Sequence, residues 1–210
     1  MKTEVPQRYK AFIIVGAPGA GKGTQGAIIG EIPRFVHLSM GDAFRGLDTR
    51  SEIGQEFVRY SSAGELVPDE LTVRFCKEHI DNLIDAHIYK PDIDILLLDG
   101  IPRNRQQAEF LEEHIEMIAL IHLSCPDREE LVRRLRKRAL KSGRMDDASE
   151  PVIRQRIQTY EDETKQLLDH YPASRVRVVN AMQPPIKVVW DVLAAVMTLP
   201  EWQEMAREVV

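Results

Sequence analysis

Short apolar runs alternate along the chain with longer stretches in which apolar residues recur at helical spacing. The runs are Ala11–Val15, Phe35–Leu38, Asp94–Leu98, Ile118–Leu123 and Val176–Val179. Each is short enough for a strand and apolar enough to be covered on both faces. Helical periodicity fills residues 22–31, 69–88, 103–115, 127–141, 151–170 and 185–198. Strand–helix alternation of this kind predicts an α/β chain built on a five-stranded parallel sheet with helices on both faces. Right-handed crossovers would place the functional loops at the carboxyl ends of the strands.

Two intervals break the alternation. Residues 40–90 hold two or three helical stretches and no convincing strand, which predicts a small helical insertion. Residues 139–150 are polar, contain Gly143 and lie between two helical stretches, which predicts an exposed and mobile loop. The tail from Thr198 to Val210, with Trp202, predicts a short helix docked on the body or held in a contact between copies.

Composition narrows the function classes. The 210 residues carry 28 Lys and Arg against 33 Asp and Glu, a net charge of −5. That balance argues against a general nucleic-acid or membrane-surface binder, which would be basic. No apolar run reaches transmembrane length, and the polar stretch Met1–Lys10 lacks the apolar segment of a signal peptide. Cys76 and Cys125 are too few for a disulfide framework or a zinc site of their own, and read as free thiols of a cytoplasmic protein. The six histidines, at 37, 79, 87, 114, 122 and 170, form no metal-spaced pair and read as structural or solvated.

The strongest chemical signal comes early. The apolar strand Ala11–Val15 runs into Gly16-Ala17-Pro18-Gly19-Ala20-Gly21-Lys22-Gly23-Thr24 and then into a helix. Glycines let successive backbone N–H groups turn inward on an anion, the helix N-terminus adds its dipole, and Lys22 reaches the outer phosphates. This is a nucleotide phosphate site. Gly23 stands where the general pattern has Ser or Thr, with Thr24 next. Whether Thr24 touches a magnesium ion or only offers its backbone N–H stays open.

The displaced form Gly-Lys-Gly-Thr resembles the adenylate kinase branch of the phosphate-loop proteins, and four further segments extend the resemblance over about residues 10 to 198. Ser39-Met40-Gly41-Asp42-Ala43-Phe44-Arg45 is similar to the family's Ser-Thr-Gly-Asp-x-x-Arg. The resemblance implies that Arg45 holds the acceptor phosphate and that Met40 sits beside the acceptor base. Gly64-Glu65-Leu66-Val67-Pro68-Asp69-Glu70 resembles the family's Gly-x-Leu-Val-x-Asp-Glu and implies contacts from Glu65, Leu66 and Val67 to that base.

Asp99-Gly100-Ile101-Pro102-Arg103 ends a strand with an acid suited to holding Mg2+ through its water shell. By resemblance Gly100 and Arg103 belong to the acceptor site and Gln107 contacts its base. Arg134, Arg138, Ser142-Gly143-Arg144, Asp146-Asp147 and Arg156 resemble a short lid, with one residue inserted between Asp147 and Arg156. The implied roles are Arg134 against the donor adenine and Arg138, Arg144 and Arg156 on the transferring phosphate, the last two also facing the acceptor. Guanidinium groups suit this because they are permanently charged and grip phosphate oxygens in pairs. On the donor side the implied set is Gly19 to Thr24, Arg134, Arg138 and a backbone carbonyl near Gln183.

The implied fold is the three-layer phosphate-loop nucleoside-kinase fold. Its core would be residues 10–39, 89–138 and 157–198, with a nucleoside-monophosphate-binding insertion at 40–88, a short lid at 139–156 without zinc, and a tail at 199–210. The implied activity is Mg-dependent, reversible transfer of the ATP γ-phosphoryl group to AMP, with Lys22, Arg103, Arg138, Arg144 and Arg156 as the catalytic cations of a monomer. Two other readings stay open. Met40 in place of threonine leaves room for UMP or CMP as acceptor, while Gln107 favours AMP. A nucleotide-binding module without turnover is the second, although the arginines such a module would lose are all present.

Overall fold

The computed structural model describes residues 8–142, 144, 147 and 149–207. Strands β1 (Tyr9–Gly16), β2 (Phe35–Ser39), β3 (Ile95–Asp99), β4 (Ile115–Ser124) and β5 (Val176–Asn180) form one parallel sheet in the order β2-β3-β1-β4-β5. The unbroken apolar runs are explained by burial on both sides. Successive residues of a strand point to opposite faces. Phe12 and Ile14 join Leu97, Ala119 and Ile121 in one core, whereas Ala11, Ile13 and Val15 join Leu96, Leu98 and Leu120 in the other.

Helices α1 (Lys22–Gly30), α6 (Arg128–Ser142) and α8 (Pro185–Met197) cover the first face through Ile29, Leu131, Leu135, Val188 and Val192. The second is covered by α2 (Met40–Arg45), α4 (Asp69–Asp85) and α5 (Arg105–Leu111) through Phe44, Cys76, Ile80 and Ala108. Helix α7 (Glu150–His170) serves both, with Ile153 and Ile157 on one side and Leu167 on the other. With α3 (Glu52–Ala63), residues 40–90 contain three helices and no strand. No helix among the described residues is long and apolar enough to cross a membrane.

Three boundaries differ from the sequence reading. Helix α4 stops at Asp85 because His87 adopts a left-handed conformation (φ +59°), and the N–H groups of His87 and Ile88 fold back to the carbonyls of Ile84 and Leu83. Glycine is the usual signal for such an end, and none is present. Helix α5 is shorter than residues 103–115, because pairing of Tyr9 with Ile115 carries β4 three residues earlier than its apolar run. Exposed Glu116 interrupts that run without ending the strand. Helix α6 ends at Ser142, one residue past the predicted helix 127–141, so the overlap with the expected loop at 139–150 resolves as helix. Its good helix formers outweigh the polarity that suggested a loop. Gly143, Met145 and Asp146 of the expected loop lie outside the described residues.

The tail forms α9 (Pro200–Arg207) and docks as expected. The Trp202 ring lies 5.0 Å from that of Phe35, and Glu201 pairs with Arg175.

Helix α1 approaches β2 through two glycines. A Cβ on Gly26 would stand 2.2 Å from His37 Nε2, and one on Gly30 would stand 2.7 Å from His37 Cβ. The imidazole therefore fills the space the glycines leave and aims Nε2 at Asp99 Oδ2, 3.6 Å away. Gly26→Ala is expected to destabilise the protein by about 1–3 kcal/mol through overpacking, despite the better helix propensity of alanine. Urea unfolding measures this, and a stability equal to or above that of the parent would refute the packing argument.

Candidate active site

The carboxyl ends of β1 and β3 open into a cavity of about 920 Å3. Residues Pro18 to Gly21 of the phosphate loop line it. Gly21 has φ +101° and an added Cβ would meet nothing within 4 Å, so glycine is required there by conformation and not by space. Helix α1 begins at the next residue and aims its N-terminus into the cavity. Lys22 Nζ donates to the carbonyls of Gly16 (2.6 Å) and Ala17 (3.3 Å). Burial pushes the Lys22 ammonium down to about 8. Asp99 opposes this shift, and Arg103, Arg138 and Arg156 add to it. Four cations therefore line one cavity, an arrangement whose mutual repulsion a polyphosphate would relieve.

The sequence candidates divide between two connected regions. Gly19 to Thr24, Arg134, Arg138, Arg144 and Gln183 line the larger cavity, and Arg45, Arg103 and Arg156 line both it and a smaller one beside it. Glu65, Leu66 and Gly100 likewise line both, while Val67 and Gln107 line the smaller cavity alone. Met40 is the exception. It is fully buried in the second core, and the wall at that point is made by its neighbours Gly41 and Asp42.

Along the larger cavity, Arg134 is held by Glu130 (2.7 Å) and by the carbonyl of Ala181 (3.0 Å), which orients its guanidinium along the wall. Gln183 donates to Asp191 Oδ2 (2.8 Å) and to the carbonyl of Asn180 (3.1 Å). On the other side, Arg103 Nε donates to the carbonyl of Gly100 (2.8 Å), whose φ of +84° turns the chain there.

Carboxylates that the sequence reading left without a role organise the arginines. Asp147 has no exposed side-chain surface and bridges Arg138 Nε (2.6 Å) and Arg156 Nη1 (2.5 Å). Arg138 Nη2 is buried with no hydrogen-bond partner among the described residues. Asp42 accepts from Arg45 (2.6 Å) and from Arg144 (3.2 Å), 102 residues apart in sequence. Burial alone would push the Asp42 carboxyl up. Hydrogen bonds from Arg45 and Ser39, with the charges of Arg45 and Arg144, hold it below the usual carboxylate range. The pairing of an acid with a distant arginine leaves no trace in sequence spacing. A second omission, the row Arg133, Lys137 and Lys141 at i, i+4 and i+8 on the cavity wall, was visible in the spacing.

Asp99, 6% exposed at the tip of β3, is the carboxylate beside the phosphate loop, 3.6 Å from where a Gly23 Cβ would stand. No cluster of three or more His, Cys, Asp or Glu side chains able to hold a metal ion occurs among the described residues. One buried carboxylate suits a hard cation whose remaining ligands are water and phosphate oxygens.

The family model described as Adenylate kinase matches residues 14–176. An adenylate kinase from Leptospira biflexa is 38% identical over 180 residues, covering 82% of this chain and 92% of the relative. One from Corynebacterium diphtheriae is 39% identical over 162 residues, covering 76% and 84%. One from Flavobacterium johnsoniae is 40% identical over 166 residues, covering 76% and 83%.

Proposed function

Because the chain belongs to the adenylate kinase family, we propose that it transfers the γ-phosphoryl group of ATP to AMP, giving two ADP, reversibly and with magnesium. The observation that carries this reading is that Lys22, Arg103, Arg138 and Arg156 line the same cavity as the phosphate loop. Transfer between two phosphates needs little covalent help from the protein, since the acceptor oxygen is already ionised. It needs alignment and neutralisation of charge.

In this reading the loop from Gly19 to Thr24 cradles the donor phosphates, Lys22 bridges the outer ones, and Arg134 packs against the donor base. Arg45 and Arg103 grip the acceptor phosphate, while Arg138, Arg144 and Arg156 surround the group in flight. Asp99 would hold a magnesium ion through its water shell, and the bound ion would neutralise phosphate oxygens. Arg144 and Arg45, parked on Asp42, exchange that carboxylate for phosphate as the substrates enter. Closing arginines around both nucleotides excludes water, so that phosphate and not water accepts the group.

Met40, which kept a pyrimidine acceptor open in the sequence, turns its side chain into the core. The walls of the smaller cavity therefore decide the acceptor. The test offers AMP, UMP, CMP and GMP separately with Mg-ATP and measures diphosphate formed. AMP is expected to give the highest kcat/KM. Absence of turnover with AMP would overturn the proposal.

A further inference from the structure

Asp69 opens helix α4 and is not part of the cavity wall, yet it controls a residue that is. Its Oδ1 accepts from Gln107 Nε2 (2.7 Å), and its carboxylate accepts from Asn104 Nδ2 (3.1 and 3.3 Å). At the other end of the same amide, Gln107 Oε1 accepts from the backbone N–H of Arg103 (2.8 Å). A carboxylate only accepts and a backbone N–H only donates, so the amide has one permitted sense. Turning it over would set oxygen against carboxylate and NH2 against N–H, with Gln107 only 1% exposed. Asn104 braces the arrangement, since its Oδ1 also caps the backbone N–H of Gln107 (2.9 Å).

These bonds leave the Gln107 amide, which lines the smaller cavity, one N–H and one oxygen lone pair in a fixed sense. Adenine and cytosine present a ring-nitrogen acceptor beside an exocyclic N–H donor. Uracil and guanine present a ring N–H beside a carbonyl, the reverse order. A freely turning amide could serve both classes; a locked one serves one. We infer that Asp69 is a positioning residue for acceptor choice, which fixes the Gln107 amide and thereby admits amino-bearing bases and rejects oxo-bearing ones. The inference rests on the reading that AMP is the acceptor, because adenine then sets which order is the productive one. It adds that CMP is the next-best acceptor and that UMP and GMP are both disfavoured. A site built around such a pattern rejects a mismatched partner strongly, because its own buried polar groups are left facing the wrong atoms.

The experiment measures kcat and KM for AMP, CMP, UMP and GMP in the parent, Asp69→Asn and Asp69→Ala. Asparagine keeps an oxygen where Gln107 Nε2 needs one, so Asp69→Asn is expected to hold the AMP-to-UMP preference within about threefold. Asp69→Ala is expected to erode the AMP-to-UMP and AMP-to-GMP ratios by about tenfold or more, mainly through KM. A purely structural role would lower all four acceptors together and leave the ratios unmoved, which would overturn the inference. Asp69→Ser, which starts a helix well but is too short to reach Gln107, repeats the test if the alanine variant does not fold. Parent enzyme preferring UMP or GMP would sink the AMP reading itself. Parent enzyme preferring AMP, with ratios unchanged in Asp69→Ala, would sink only the lock.

Discussion

Replacing Lys22 by methionine is expected to cut turnover of ATP and AMP on the order of a hundredfold to a thousandfold, while making the nucleotide-free protein no less stable. The catalytic loss follows from removing a preorganised cation aimed at the developing phosphate charge, a contact worth about 3–4 kcal/mol in comparable sites. The stability result follows from the same electrostatics read in the absence of ligand. Lys22 has its ordinary value of 10.5 in the unfolded chain and about 8 in the folded one. Below pH 8 the ammonium is charged in both states, and burying it beside three arginines costs its full share of stability. Between pH 8 and 10.5 the unfolded chain binds the extra proton, so stability contributed by this group rises with pH.

At pH 7 the methionine variant escapes that cost, about 3 kcal/mol at most, and loses two bonds to carbonyls worth about 1 kcal/mol each. A net gain of about 1 kcal/mol at most is expected, shrinking as pH rises from 8 towards 10.5. Steady-state ADP formation and urea unfolding at pH 7 and 10 check both halves. Near-normal turnover would remove Lys22 from the site, and a marked loss of stability would show that the ammonium is not penalised there.

The readability of this chain divides along a physical line. Doubly buried strands announce themselves because both faces demand apolar residues, so four of the five runs fall wholly within observed strands and the fifth, Asp94–Leu98, starts one residue before β3. The phosphate loop is equally plain, since its glycines and lysine must be contiguous to turn backbone N–H groups on an anion. Ends of elements were harder. The left-handed His87 closes α4 without a glycine, and exposed Glu116 sits inside β4 because its backbone pairs with Lys10 of β1. Hardest of all were side-chain partnerships over long separations. Nothing in the sequence couples Asp42 to Arg144 or Asp69 to Gln107, 38 residues away. Met40 lies in the core and off the cavity wall for a related reason, because a position in a motif does not reveal which way a side chain turns.

Asp147→Ala is expected to lower kcat about ten- to a hundredfold without raising KM for ATP, and to destabilise the nucleotide-free protein. The carboxylate is fully buried and each of its oxygens holds one arginine, so truncation takes a buried anion away from two guanidinium groups that remain partly covered. Removing one member of a buried ion pair costs about 3–5 kcal/mol. Here Arg138 and Arg156 keep 33% and 19% of their side-chain surface in contact with water, which moves the expectation down to about 2–3 kcal/mol. Bound ATP supplies the anion that Asp147 no longer does, so the variant is expected to gain more thermal stability from saturating ATP than the parent does. Affinity is thereby preserved, but geometry is not. Without the bridge the guanidinium groups lose the fixed angle at which their N–H donors meet a phosphoryl group in flight, and misplacement of about 1 Å is enough to cost a hundredfold. The diagnostic is the split: a fall in kcat with KM unchanged or lower, together with an enlarged ATP-dependent shift in Tm. A raised KM at normal kcat would mean that Asp147 serves ground-state binding alone. Unchanged kcat and KM would mean that the two arginines hold their catalytic positions without it.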